Sequence, residues 1–129
     1  MSNQIMRNRF ISMGAASMFI AVAAGAFGAH SLKQMLSAEM LAVYHTAVDY
    51  QVYHSLGLIL IGLLLTNHNN TGLRLSAWLM LAGMLIFSGS LYLLSITGVR
   101  WLGAITPIGG LCFLAAWLNL AWQTFKVRA

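Results

Sequence analysis

Four long apolar runs, almost free of charge, constrain this chain more than any other feature. They cover residues 10–29, roughly 43–65, 73–96 and 102–125. A helix rises about 1.5 Å per residue, so about 20 apolar residues cross the roughly 30 Å of hydrocarbon in a bilayer, and each run is long enough. Of the 129 residues 60% are hydrophobic and 7% charged, against roughly 45–50% and about 25% in an average soluble chain. Within lipid every backbone N–H and C=O needs a partner inside the protein, which leaves helices as the form for such runs. The links are short, so successive helices are antiparallel neighbours. The expected fold is all-α: one integral membrane domain, an up-and-down four-helix bundle.

The seven Lys and Arg against two acids do not describe a nucleic-acid surface. A protein of that kind groups its cations on one face, whereas Arg7, Arg9, Arg74, Arg100, Lys126 and Arg128 flank the apolar runs. Basic residues next to spans mark the cytoplasmic side. With four spans, Arg7, Arg9, Arg74, Lys126 and Arg128 share one side against Lys33 and Arg100 on the other. Both termini are therefore expected in the cytoplasm, and the start of the second span outside. Arg7 and Arg9 ahead of a stretch ending in "AGAFGA" imitate a cleavable signal, but a run of about 20 residues exceeds a signal's apolar core and reads as an uncleaved first span. The single Cys112 allows no internal disulfide and no C-x-x-C motif.

Between the first two spans, Ser31 and Gln34 have capping-box spacing. A short helix is expected from Leu32, with Leu32, Met35, Leu36, Met40 and Val43 on one side, lying in the membrane interface. The sequence leaves open whether it bends into the second span or runs straight on.

The second span opens with a polar knot, "YHTAVDYQVYHS", residues 44–55. Its strictly apolar part, residues 55–65, is too short to cross alone, so Asp49 and His54 are drawn into the membrane or its outer boundary. An ionised Asp at the bilayer centre costs about 2.5–3.5 kcal/mol on insertion scales, and such residues generally face the bundle interior. Asp49 is therefore expected to point inward. His45, four residues earlier, is its expected partner in a structural polar pair that cross-links helices. H-x-x-x-D alone is a weak metal signature, and a tetrahedral site would have to borrow His30 from the first span. No metal or cofactor is assigned. No nucleophile or electrophilic donor pair stands near the knot in sequence, so no catalytic residue is assigned either.

Small residues carry a second signal. Ala21, Gly25 and Ala29, and likewise Ala24 and Gly28, are spaced by four, giving the first helix smooth faces for close packing. In the third span Ser88 and Tyr92, with Gly89 and Ser90 between them, are placed to hydrogen-bond across helices or to meet a polar ligand. In the fourth, Pro107 followed by Gly109 and Gly110 either kinks the helix or starts it, and broken helices mark binding sites in transporters. Trp78, Trp101, Trp117 and Trp122 fall near span ends, as interfacial anchors do.

The segments "GAFGAH" at 25–30, "YQVYHSLGL" at 50–58, "FSGSLYLL" at 87–94 and "TPIGG" at 106–110 closely resemble, in order and spacing, domain of unknown function family 423. These are the YgdD-like uncharacterised small membrane proteins, more distantly similar to the eukaryotic transmembrane protein 256 family. The resemblance implies a four-helix bacterial inner-membrane protein and supplies no reaction, cofactor or substrate. It favours His30, Gln51 and His54, with Ser90, Tyr92 and Thr106, as ligand-binding candidates, while His45 and Asp49 lie outside the matching motifs. Gly25, Gly28, Gly89, Pro107, Gly109 and Gly110 are the expected packing or kink positions.

The function expected is that of a non-enzymatic membrane protein whose outer-side polar cluster joins the helices and recognises a lipid, small molecule or partner. Two alternatives stand beside it: a small transporter or channel using the broken fourth helix, and a haem or metal redox protein built on His30, His45 and His54. The expected partners are the bilayer and, through the small-residue faces, a second copy or another membrane protein.

Overall fold

The computed structural model describes residues 2–67 and 69–126; Arg128, one of the charges used for orientation, lies outside them. Four helical stretches, of 28, 27, 27 and 27 residues, are long and apolar enough to cross a membrane. The first is α1 (Asn3–His30), opened by Ser2, whose hydroxyl accepts from the Ile5 N–H. The second is α2 (Ala38–Leu64). The third joins α3 (Thr71–Gly83), a π-helical turn (Met84–Ser88) and α4 (Gly89–Thr97), which Gly98 ends with a φ of 72°. The fourth joins a 3-10 stretch (Arg100–Ala104) to α5 (Thr106–Lys126), with Pro107 in its first turn where the lost N–H costs nothing.

The connection between α1 and α2 is shorter than expected. It holds one 3-10 turn, Leu32–Gln34. Ser31 is helical, and its N–H donates to the Phe27 carbonyl, so it closes α1 and cannot adopt the extended backbone of an N-cap. That role falls to Ser37, which is extended and accepts from the Met40 N–H at 3.2 Å. From there α2 runs unbroken into the span.

Glycine sets how closely the helices approach. A Cβ on Gly28 would lie 2.5 Å from the Tyr44 ring, and one on Gly14 would lie 2.8 Å from the Ser55 carbonyl. One on Gly109 would lie 2.5 Å from the Phe87 backbone nitrogen. These contacts lock α1 on α2 and α5 on the third span, as small residues do between membrane helices. Gly25 meets Val48 at an ordinary 3.5 Å, and Gly110 has only the Phe87 ring at 3.9 Å. Gly89 departs from the packing expected of it, since nothing lies within 4 Å of its Cβ position.

Helix α2 sits centrally, touching α1 on one side and the third span on the other. Toward the end that holds both termini the interior is apolar: Phe10, Leu58, Ile61, Leu65, Leu73 and Met80 are fully or almost fully buried. That end is tied by polar groups near the loops. Arg74 donates to Asn3 and Asn69, Asn3 donates to the Leu65 carbonyl, and Asn119 donates to Ser76. From the middle of the bundle, at Ser17 of α1 and Gln51 of α2, toward the opposite hairpin end the interior becomes polar, and the candidate site lies around that middle level.

Candidate functional site: a polar network beside an aromatic groove

Gln51 is the hub of the network. Its amide nitrogen donates to the Ser17 carbonyl at 3.1 Å and lies 3.2 Å from the Ser17 hydroxyl, and its amide oxygen accepts from the Tyr92 hydroxyl at 2.7 Å. Ser55 donates to the Ser17 hydroxyl at 2.7 Å. One level toward the hairpin end, the Tyr44 hydroxyl donates to the Ala24 carbonyl at 2.6 Å and its ring meets Tyr92 edge-on. Ser88 donates to the Ala47 carbonyl at 2.8 Å. Three spans are thereby stitched by neutral groups whose donors and acceptors are matched, which a low-dielectric interior demands.

His54, one turn along the same inward face of α2, turns toward α5. Its ring stacks on Phe113 with centroids 3.4 Å apart. Trp117 Nε1–H can only donate, so at 3.0 Å it makes His54 Nε2 the acceptor. The proton then sits on Nδ1, which donates to the Tyr50 carbonyl at 2.6 Å. Both ring nitrogens are occupied, and the imidazole ties α2 to α5. Next to it Ser90 and Thr106 hydroxyls are 2.6 Å apart, joining α4 to the start of α5.

Beside His54 the bundle opens sideways into a groove of about 650 Å³, within the range of small-molecule sites. Its walls are Phe87, Phe113, Leu114 and Trp117, its rim Tyr50 and Tyr53, and Pro107 and Gly110 form one edge. The phenolic hydroxyls of Tyr50 and Tyr53 make no hydrogen bond among the described residues, whereas those of Tyr44 and Tyr92 do. A second cleft, about 420 Å³, lies between α1 and the third span with Gln51, Ser17 and Tyr92 at its back. The hydrogen bonds of its polar groups are already made within the network.

The structure thus brings Gln51 together with Tyr92, and Ser90 with Thr106, in contact across helices. His54, about 60° round α2 from Gln51 on the same inward face, turns to α5 instead. His30 is exposed and joins neither set. His45 and Asp49 differ from expectation: both side chains are exposed on the outward face of α2, and no hydrogen bond links them to each other or to any described residue. On this helix the inward positions are filled by Tyr44, Val48, Gln51 and Ser55 against α1 and by Ala47 and His54 against the third span and α5, and the stripe holding His45 and Asp49 is the one left over. No group of three His, Cys, Asp or Glu among the described residues is arranged to share a metal ion. His30, His45 and His54 point to different surroundings and do not fit one centre. Ser17, which no motif marked, is a partner of both Gln51 and Ser55; the one sequence signal for it was a hydroxyl within an apolar run.

Residues 24–110 match the family model described as protein of unknown function, DUF423. The chain belongs to this family. It is 49% identical over 117 residues to a UPF0382 membrane protein of Staphylococcus haemolyticus, covering 91% of this chain and 95% of the relative. It is 46% identical over 118 residues to UPF0382 membrane protein YwdK of Bacillus subtilis, covering 91% and 96%. With a UPF0382 membrane protein of Haemophilus influenzae it shares 38% over 125 residues, covering 96% and 99%. No solved structure matches it. As a DUF423 protein, the chain is a membrane protein of an uncharacterised bacterial family, and its four apolar helices are membrane helices.

Proposed function

We propose that this DUF423 protein is a non-enzymatic inner-membrane protein that binds a bilayer-borne small molecule in the groove beside His54. Both termini lie in the cytoplasm, and the polar network in the outer half of the bundle holds the groove walls in place. The observation that carries this reading is the pairing of four aromatic or apolar walls with two lining tyrosines whose hydroxyls make no hydrogen bond among the described residues. Such a surface suits a flat, mainly apolar molecule with one hydrogen-bonding group, entering laterally from the lipid. Orientation rests on Arg7, Arg9, Arg74, Lys126 and Arg128 against Lys33 and Arg100.

The test is native mass spectrometry of protein extracted gently from its own membrane, comparing wild type with Gly110→Leu. Gly110 lines the groove, and a Cβ there meets nothing closer than 3.9 Å. The variant is expected to fold, fill the groove and lose a bound mass that the wild type carries. A wild type that never carries such a mass, or a Gly110→Leu variant that retains it, sinks the reading.

A second reading, a transporter or channel, draws on one observation. The π-helical turn Met84–Ser88 packs on the start of α5 through Phe87 and Gly109, so both spans are irregular at the same level. Irregularities of this kind recur at functional sites and in transporters. Solute flux in proteoliposomes no greater than in empty vesicles, across a broad panel, would remove it.

A further inference from the structure

The outward face of α2 carries a polar stripe that the monomer leaves uncovered. Ala42, His45, Asp49 and Tyr53 are exposed and Thr46 is partly so; at 100° per residue they lie along one side of the helix. Thr46 turns its hydroxyl back to the Ala42 carbonyl, but neither His45 nor Asp49 makes a hydrogen bond among the described residues.

Neighbouring helices set the depth of this stripe. Ser88 reaches the Ala47 carbonyl, so Leu93 and Ile96, later on α4, lie beyond Asp49 toward the hairpin end. Gly28 packs on Tyr44, so Phe27 lies at about the level of His45. Leu93, Ile96 and Phe27 are apolar and more than half exposed. The apolar belt of the bundle therefore extends past Asp49, and this carboxylate faces outward within hydrocarbon. An intramembrane acid calls for a partner, and the described residues of its own chain supply none.

We infer that the partner is a second copy of this chain, docked through the same face of α2, with Asp49 of each copy accepting a hydrogen bond from His45 of the other. The stripe is self-complementary. A two-fold axis along the membrane normal sets equal depths opposite each other, so each Asp49 falls one helical turn from the opposing His45, and the pair forms twice. Ala42, one turn further on, leaves room for the backbones to approach. A lipid headgroup satisfies the acid only at the surface, and Asp49 lies deeper. Tyr53 belongs both to this stripe and to the groove lining, but the pairing of His45 with Asp49 does not use it.

The test uses full-length protein in its native membrane, with Cys112→Ala to remove the natural thiol. Thr46→Cys is expected to form a disulfide-linked dimer under mild oxidation, while Phe19→Cys, exposed on α1, serves as the control and does not. Asp49→Leu or His45→Leu added to Thr46→Cys should lower the cross-linked fraction at least tenfold. The exchange of His45→Asp with Asp49→His restores it, because the two-fold pairs each residue with the other. Thermal unfolding of each variant as a detergent-solubilised monomer checks folding, which should be unchanged. Cross-linking no greater than the control, insensitivity to Asp49→Leu, or cross-links only to a protein of different mass would each overturn the proposal. So would a monomer whose bound lipid, seen by native mass spectrometry, disappears with Asp49→Leu.

Discussion

The two faces of α2 carry similar residues and treat them in opposite ways. Inward, Gln51, His54 and Ser55 are buried, and each makes hydrogen bonds to a neighbouring helix. Outward, within the same turns, His45 and Asp49 have none among the described residues. The difference lies in what each neighbour offers. Across from Gln51 stand a carbonyl, a serine hydroxyl and a tyrosine hydroxyl, enough to match an amide that both donates and accepts. A carboxylate accepts only, and an ion in a dry interior needs charged or multiple donors. The described inward partners of α2 are hydroxyls, carbonyls, the Met84 sulfur and one indole N–H. Neutral polarity is therefore used inside the chain, and the ionisable pair is left for whatever lies outside it.

Exchanging polarity for bulk on each face is the strongest way to break that comparison. Gln51→Leu leaves the half-buried Tyr92 hydroxyl without its described acceptor and takes one of two partners from the Ser17 hydroxyl, and should lower monomer stability in detergent by about 1–3 kcal/mol. Asp49→Leu removes no hydrogen bond or ion pair among the described residues and should leave monomer stability unchanged. Parallel thermal or denaturant unfolding of the two variants decides it. Equal losses would mean that Asp49 has an internal partner, and the distinction between the faces would fall.

A smaller effect sharpens the inward side. Trp117→Phe keeps an aromatic wall but removes the one donor to His54 Nε2 among the described residues, leaving a ring nitrogen unmatched beneath Phe113. The expected loss is about 0.5–1.5 kcal/mol. Introducing His54→Phe alongside Trp117→Phe should recover part of it, since two apolar rings make no unmet demand. A double-mutant cycle that shows no coupling between these positions would mean that the 3.0 Å contact contributes nothing.

These two faces also show where the sequence was legible. The four spans follow from length and lack of charge, which need no tertiary information, and the observed helices extend the expected runs by a few residues at most ends. The start of α5 at Thr106 was one of two readings that Pro107 allowed. Spacing placed His45 and Asp49 on one stripe, and the stripe is real. Its direction differs from expectation, because Tyr44, Ala47, Val48, Gln51, His54 and Ser55 take the inward positions of α2. The π-helical turn at Met84–Ser88 leaves no periodic signature: it lies where Gly83 packs on Phe113 of α5 and Gly109 of α5 packs on Phe87, contacts between residues far apart in sequence. The capping-box pattern at Ser31 failed because α1 continued into it, a competition that local spacing does not register.

The smallest expected effect belongs to the charged pair at the hairpin end. Glu39, in the first turn of α2, lies 3.3 Å from Arg100, which opens the 3-10 stretch of the fourth span, and the two side chains are 65% and 75% exposed. An ion pair this exposed contributes about 0–1 kcal/mol, and salt screens it further. Arg100→Gln should therefore shift unfolding by a few tenths of a kcal/mol at most, with the difference vanishing in high salt. Glu39 keeps its favourable place near the N-terminus of α2 whether or not Arg100 is present. A loss approaching that of Gln51→Leu, and insensitive to salt, would show that this end of the bundle is held by charge as firmly as its interior is held by neutral hydrogen bonds. The contrast between a neutral, satisfied inside and a charged, unpaired outside would then have to be redrawn.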